Sequence, residues 1–241
     1  MYKETNLRSI TKGLSWRLFA TFTTIVIVYA FFGRLDLAIF AGVLESVVKI
    51  VLFWIHERVW IKVRWGKKKI KPFSLWLTGL PCSGKSAIAD EVLLQLEKFD
   101  IPLERLDSKD IRSVIPNIGY ERDDRSRHLL RVAHLIKTLQ GNSISTISSF
   151  VSPYQESRQA IRQMVQNHIL VFIKTDLETC KQRDKANKYE RAIKGEILNF
   201  TGISDVYEEP QDANIVIDGT SNSIEASAGE IVKYIQRNLI E

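Results

Sequence analysis

The chain has 241 residues, with 45% apolar and 26% charged side chains, which is ordinary for a globular protein; its two cysteines, Cys82 and Cys180, have no pair spacing that suggests a disulfide framework or a cysteine metal site and point to a reducing compartment. The net charge of +6 is uneven: residues 1–71 carry 13 Lys and Arg against 4 Asp and Glu, a net of +9, which leaves −3 for residues 72–241. A nucleic-acid binder carries its basic patch on the folded domain, so this distribution argues against nucleic acid as the partner.

The first predicted element is Leu18 to Phe32, 15 residues without a charge and bracketed by Arg17 and Arg34. "GRLD", Gly33 to Asp36, reads as a turn, and Leu35 to Ile55 gives 21 mostly apolar residues interrupted by Asp36, Glu45 and Lys49. A spanning helix needs about 20 apolar residues; the second run fits by length, and the first does so if Thr11 to Trp16 extend it. Residues 1–66 therefore read as an α-helical transmembrane hairpin. Glu45 and Lys49, four apart, share one helix face and are expected to pair inside a helix interface. Lysines and arginines precede the first span and follow the second. By the positive-inside rule both ends are cytoplasmic, at the inner membrane, with lipid as a partner. The competing readings are a cleaved signal peptide, which lacks a suitable cleavage site, and a buried soluble hairpin. "KGLSWRLFAT" followed by Glu45, Lys49 and "HERVW" resembles the DUF2061 family of two-helix membrane domains. Residues 67–72 form a basic linker.

Residues 73–241 read as an α/β domain. Phe73 to Thr78 is a short apolar strand, and Ser86 to Phe99 has helical apolar spacing. Between them "GLPCSGKS" (Gly79, Leu80, Pro81, Cys82, Ser83, Gly84, Lys85 and Ser86) matches the phosphate-loop pattern. Its backbone N–H groups cradle phosphate oxygens, Lys85 reaches the outer phosphates and the Ser86 hydroxyl ligates Mg²⁺. This predicts ATP and Mg²⁺ as ligands. Strands at Pro102–Leu106, Ser143–Phe150, His168–Thr175 and Asn214–Gly219 alternate with helices at Asp124–Leu139, Pro153–Gln166, Asp176–Arg183 and Ile224–Leu239. Such alternation implies a P-loop NTPase-type parallel sheet with helices on both faces. Its ligands sit at the carboxyl ends of the strands, near Lys85, Asp107 and Ser152.

"WLTGLPCSGKS", "LDSKDIR", "GYERDDR", "VSPY", "CKQRD" and "KGEILNFTGISDVYEEP" together resemble the adenylylsulfate kinase family from about Phe73 to Asp218. Members move the ATP γ-phosphate to the 3′-hydroxyl of adenosine 5′-phosphosulfate, and the family often dimerises. The resemblance implies that Asp107 lies near the metal and the acceptor, with Ser86 as the other metal ligand. It implies that Arg112 and Arg125 hold the acceptor nucleotide and that Tyr120 and Phe200 stack on its base. Val151, Ser152, Pro153 and Thr201 complete the acceptor side. Lys85, Asp107 and Ser152 are the implied catalytic positions, although direct in-line transfer needs no phosphoserine relay at Ser152. Residues 183–202 are expected to close as a lid.

Several positions depart from the family pattern. Lys109 stands where the second Asp of a D-G-D motif is usual, with Asp110 one place later. His128 replaces an Asn, Ala186 a lid Lys, and Ile193 a lid Arg. The donor half of the site is intact and the acceptor half is edited. Three readings follow: a membrane-tethered adenylylsulfate kinase, a kinase of the same build for another nucleotide or sugar-linked acceptor, and a catalytically impaired nucleotide-binding module.

Overall fold

The computed structural model describes residues 2–4, 6–30, 35–63, 67–69, 71–99, 101–115 and 118–239. The chain divides into two compact units, Met1–Lys69 and Ile70–Glu241.

In the first unit, β1 (Tyr2–Glu4) pairs antiparallel with β2 (Lys67–Lys69), and two long helices pack together, α1 (Asn6–Ala30) and α2 (Leu35–Lys62). Both helices run well past the apolar stretches into their charged flanks. Those flanks are folded between the helices. Arg8 is fully buried and donates to the Val63 and Trp60 carbonyls at 2.7 and 2.5 Å, satisfying groups that the end of α2 leaves open. Lys12 pairs with Glu57 at 2.8 Å, and Ser15 and the Trp60 indole both hydrogen-bond His56 Nε2. Trp16 meets Phe53 edge-on.

The expected transmembrane hairpin is not seen here: among the described residues, no helix is long and apolar enough to cross a membrane. Residues 31–34 and the side chains of 35–43, in the middle of the two apolar runs, lie outside the described residues. The turn around Gly33 and Arg34, the Glu45 side chain with its expected pairing to Lys49, and Trp65 lie outside the described residues.

The second unit holds one parallel sheet of five strands. In chain order these are β3 (Ser74–Thr78), β4 (Leu103–Asp107), β5 (Ser145–Ser149), β6 (His168–Lys174) and β7 (Ile215–Asp218). Their spatial order is β4-β5-β3-β6-β7, with Leu75 opposite Ile147 on one side and Ile169 on the other. Side chains alternate between the two faces. Leu75, Leu77, Ile147, Val171 and Ile173 pack under α3 (Lys85–Glu97) and α9 (Ile224–Leu239). Trp76, Leu170 and Phe150 pack under α5 (Arg122–Gly141) and α6 (Gln155–Met164). With both faces covered, strand interiors are free to be apolar throughout, as β3 and β6 are. Three short helices complete the unit: α4 (Ser108–Val114), α7 (Leu177–Gln182) and α8 (Lys188–Ile193). The helices α4 and α8 were not anticipated. Each is two turns or less, too short for apolar periodicity to register.

Candidate active site

The carboxyl ends of β3, β4 and β5 open into one cavity of about 1220 Å³. The loop after β3 forms its floor. Gly79 admits no side chain, since a Cβ there would stand 2.6 Å from the Ile173 carbonyl oxygen and 2.9 Å from Ser83 Oγ. Gly84, at φ 99°, takes a left-handed turn into α3. Pro81, Cys82, Ser83, Gly84, Lys85 and Ser86 line the cavity, while Gly79 and Leu80 are not part of its lining. The Lys85 ammonium folds back onto the Leu80 carbonyl at 2.6 Å and Ser83 Oγ at 3.2 Å. Burial lowers its pKa to about 8. Burial and the neighbouring Asp184 push the Cys82 thiol up, so this cysteine is no ready nucleophile.

Asp107 ends β4 and caps α4, accepting from the Lys109 amide at 2.9 Å. Its other oxygen accepts from Ser86 Oγ at 2.8 Å and Ser149 Oγ at 2.6 Å. Burial would raise this carboxyl, but those three hydrogen bonds and the Arg105 charge outweigh it and hold the pKa below the ordinary carboxylate value. Ser86 and Asp107 thus present two hard oxygens side by side on the cavity wall. Mg²⁺ favours such a set, because it takes one or two protein oxygens and fills its octahedron with phosphate and water. Among the described residues no group of three or more His, Cys, Asp or Glu gathers to form a metal cage, so a metal here would lean on the nucleotide.

The opposite wall carries the expected acceptor residues. Arg112, Tyr120, Arg125, Val151, Ser152, Pro153, Phe200 and Thr201 all line the same cavity as Lys85. The Tyr120 ring is covered by the Arg112 guanidinium at 4.4 Å, and Phe200 stands edge-on to Tyr189 at 5.0 Å. Arg125 donates to the Tyr120 carbonyl at 2.8 Å, to Thr201 Oγ1 at 2.6 Å and to the Asn199 carbonyl. The start of α5 is thereby tied to the stretch after α8.

Ser152 is placed differently from a nucleophile. Its backbone takes a positive φ of 39°, its side chain is buried, and its hydroxyl accepts from the Trp76 indole at 3.0 Å while donating to Thr78 at 2.8 Å. The Ser152 carbonyl is in turn held by buried Arg158 at 2.6 Å. The hydroxyl is therefore committed to the protein, and Ser152 contributes shape to the wall.

Of the departures, Lys109 and His128 line the cavity, whereas Ala186, Ile193 and Asp110 do not. Asp110 gives no carboxylate in place of the one missing at 109. The lid segment keeps its positive charge from neighbouring positions instead: Lys185, Lys188 and Arg191 all reach the cavity. Tyr189 anchors this segment, donating to the Pro81 carbonyl at 2.8 Å. Residue spacing did not single out Ser149 or Arg105. Both sit at strand positions that read as ordinary sheet residues, and only the pairing of β4 with β5 brings them to Asp107.

Comparison with known proteins bears on both units. Residues 10–61 match the family described as predicted membrane protein DUF2061, and residues 71–218 match the adenylylsulphate kinase family. A probable adenylyl-sulfate kinase of Pseudomonas aeruginosa is 40% identical over 162 residues, covering 67% of this chain and 76% of that protein. The adenylyl-sulfate kinase of Halothermothrix orenii is 36% identical over 167 residues, covering 69% and 90%. The structure of the Mycobacterium tuberculosis APS kinase in complex with AMPPNP and APS superposes with a TM-score of 0.66 at 29% identity, covering 70% of this chain and 99% of that one. A family match that spans well over half the length, carried by a strand, phosphate loop and helix in the order that such enzymes require, means that this chain belongs to the adenylylsulphate kinase family.

Proposed function

We propose that this protein transfers the γ-phosphate of ATP to the 3′-hydroxyl of adenosine 5′-phosphosulfate. The observation that carries this reading is the single cavity in which Lys85, Ser86 and Asp107 face Arg112, Tyr120, Arg125 and Phe200. Phosphoryl transfer asks an enzyme for positioning and charge neutralisation. Lys85 leaves its loop carbonyl for the outer phosphates of the donor. Arg112 and Arg125 hold the anionic end of the acceptor, and the aromatic rings hold its base. Ser86 and Asp107 would hold Mg²⁺, which neutralises charge on the β- and γ-phosphates when bound. Lys185, Lys188 and Arg191 bring positive charge over the nucleotides and help exclude water. The engaged hydroxyl of Ser152 supports direct transfer with no covalent relay.

A coupled ATP-consumption assay with adenylylsulfate tests the reading, and chelation of divalent metal should abolish turnover until Mg²⁺ is restored. Absence of turnover with adenylylsulfate would overturn it. A second reading, a different nucleotide or sugar-linked acceptor, is favoured by the acceptor wall alone, where Lys109 and His128 stand in place of a carboxylate and an amide. Turnover restricted to another acceptor would select it.

The two-helix unit we read as a membrane-associating element that keeps the kinase on the cytoplasmic face of the inner membrane. The family match over residues 10–61 supports this, as do the exposed apolar side chains along α1 and α2, among them Leu14, Leu18, Ile50, Val51 and Trp54. Flotation of the full chain with anionic lipid vesicles should carry it to the lipid layer. Its extraction by high salt or only by detergent separates surface attachment from insertion.

A further inference from the structure

Arg105 lies outside the cavity lining, yet it is the most heavily bonded cation near it. It sits in β4 two residues before Asp107, so the two side chains leave the strand on the same face. Its Nε donates to Asp90 Oδ1 of α3 at 2.9 Å, and its Nη1 to the Leu106 carbonyl at 3.1 Å. Its Nη2 lies 2.9 Å from Ser149 Oγ and 3.2 Å from Asp107 Oδ2. The fixed fork of a guanidinium suits such a multi-point brace, which a lysine meets only as a point charge.

We propose that Arg105 is a positioning residue of the transfer site, holding the Asp107 carboxylate and tempering its grip on the nucleotide's divalent metal; the proposal rests on the kinase reading above. Two effects compete when Arg105 is removed. Asp107 loses one of its anchors, and it regains its full negative charge. The charge effect wins, because each carboxylate oxygen keeps a donor of its own, Ser149 Oγ on Oδ2 and the Lys109 amide on Oδ1. The carboxylate stays aimed while its attraction for a cation grows. Among the described residues that line the cavity, Asp107 is the one carboxylate, and Arg105 stands behind it while Lys109 lines the same wall. A weakly held metal leaves readily with the product nucleotide.

The test uses the full chain with a non-hydrolysable ATP analogue and Mn²⁺ as a paramagnetic probe. Arg105→Met should tighten Mn²⁺ binding by about threefold or more, since a single charge is removed next to a metal ligand. Arg105→Lys, which keeps the charge, should stay close to wild type. Asp90→Asn removes the other carboxylate that Arg105 pairs with, without touching the cavity, and should weaken Mn²⁺ binding by a smaller factor, because the full Arg105 charge is then left to Asp107. In turnover, kcat and KM for Mg-ATP should fall together in Arg105→Met, as donor and product are both held longer. Unchanged or weaker Mn²⁺ binding in Arg105→Met overturns the proposal and leaves Arg105 a structural brace. Should that variant fail to fold, an unchanged or tighter Mn²⁺ affinity in Asp90→Asn overturns it equally. A wild-type protein that turns over no acceptor would sink the kinase reading alone, because the Mn²⁺ measurement does not depend on the acceptor.

Discussion

Lys85 spends its ammonium on a loop carbonyl until a phosphate arrives, and burial has already lowered its pKa to about 8. A bound polyphosphate adds negative charge beside the ammonium and favours its charged form. Lys85→Ala should cut turnover by roughly 10²–10³-fold while leaving the thermal midpoint near wild type, because an electrostatic stabiliser is lost and little packing goes with it. Coupled assay and circular dichroism check the two halves. Two histidines set a different dependence. Burial holds His128 and His168 neutral, each lowered to about 4 from the ordinary 6.5. Both ring nitrogens of His128 and Nδ1 of His168 are buried without a hydrogen-bond partner, so a proton there would be an unpaired buried charge. Between those values the unfolded chain binds more protons than the folded one. Stability is therefore full above about pH 6.5 and falls as the pH drops toward about 4. Thermal melts across that window should show the decline, and His128→Asn should flatten it. At this scale the phosphate-loop residues were legible because their spacing is local and dense. Ser149 and Arg105 were not, since their role depends on which strand lies beside β4.

Among the elements, α3 joins chemistry to core. Its first residue is Lys85, while Ile88, Val92 and Leu96 pack between the sheet and α9. Leu96 is fully buried, so Leu96→Ala should cost about 2–5 kcal/mol, measurable by urea denaturation. The segment after α8 depends instead on polar ties, chiefly Arg125 to Thr201 and to the Asn199 carbonyl. Arg125→Leu should raise the acceptor KM by roughly tenfold, leave the ATP KM nearly unchanged, and increase deuterium uptake across residues 195–205. The strands and long helices of this unit were legible from period and composition. The helix α4 escaped notice although Asp107 is a proper N-cap for it, because a two-turn helix offers a cap and little else to read.

For the whole molecule, the two units were unequally legible. The kinase unit follows from alternating strands and helices around a motif, each step of which constrains the next. The front unit was read from apolar runs, which mark a buried or lipid-facing helix without giving its ends; α1 begins at Asn6 rather than near Leu18, so its basic residues fall inside the helix. Each unit has its own internal packing. A fragment of residues 70–241 should therefore unfold in one cooperative step and bind the ATP analogue within about twofold of the full chain, while losing vesicle flotation. That fragment has a practical asset. Of the five tryptophans only Trp76 lies beyond residue 70, fully buried, stacked on Phe150 at 4.9 Å and bonded to Ser152 at the cavity wall. Its fluorescence is then a single-emitter signal from the acceptor side, and the arrival of a nucleotide beside Ser152 becomes visible as a change in emission, with no label attached.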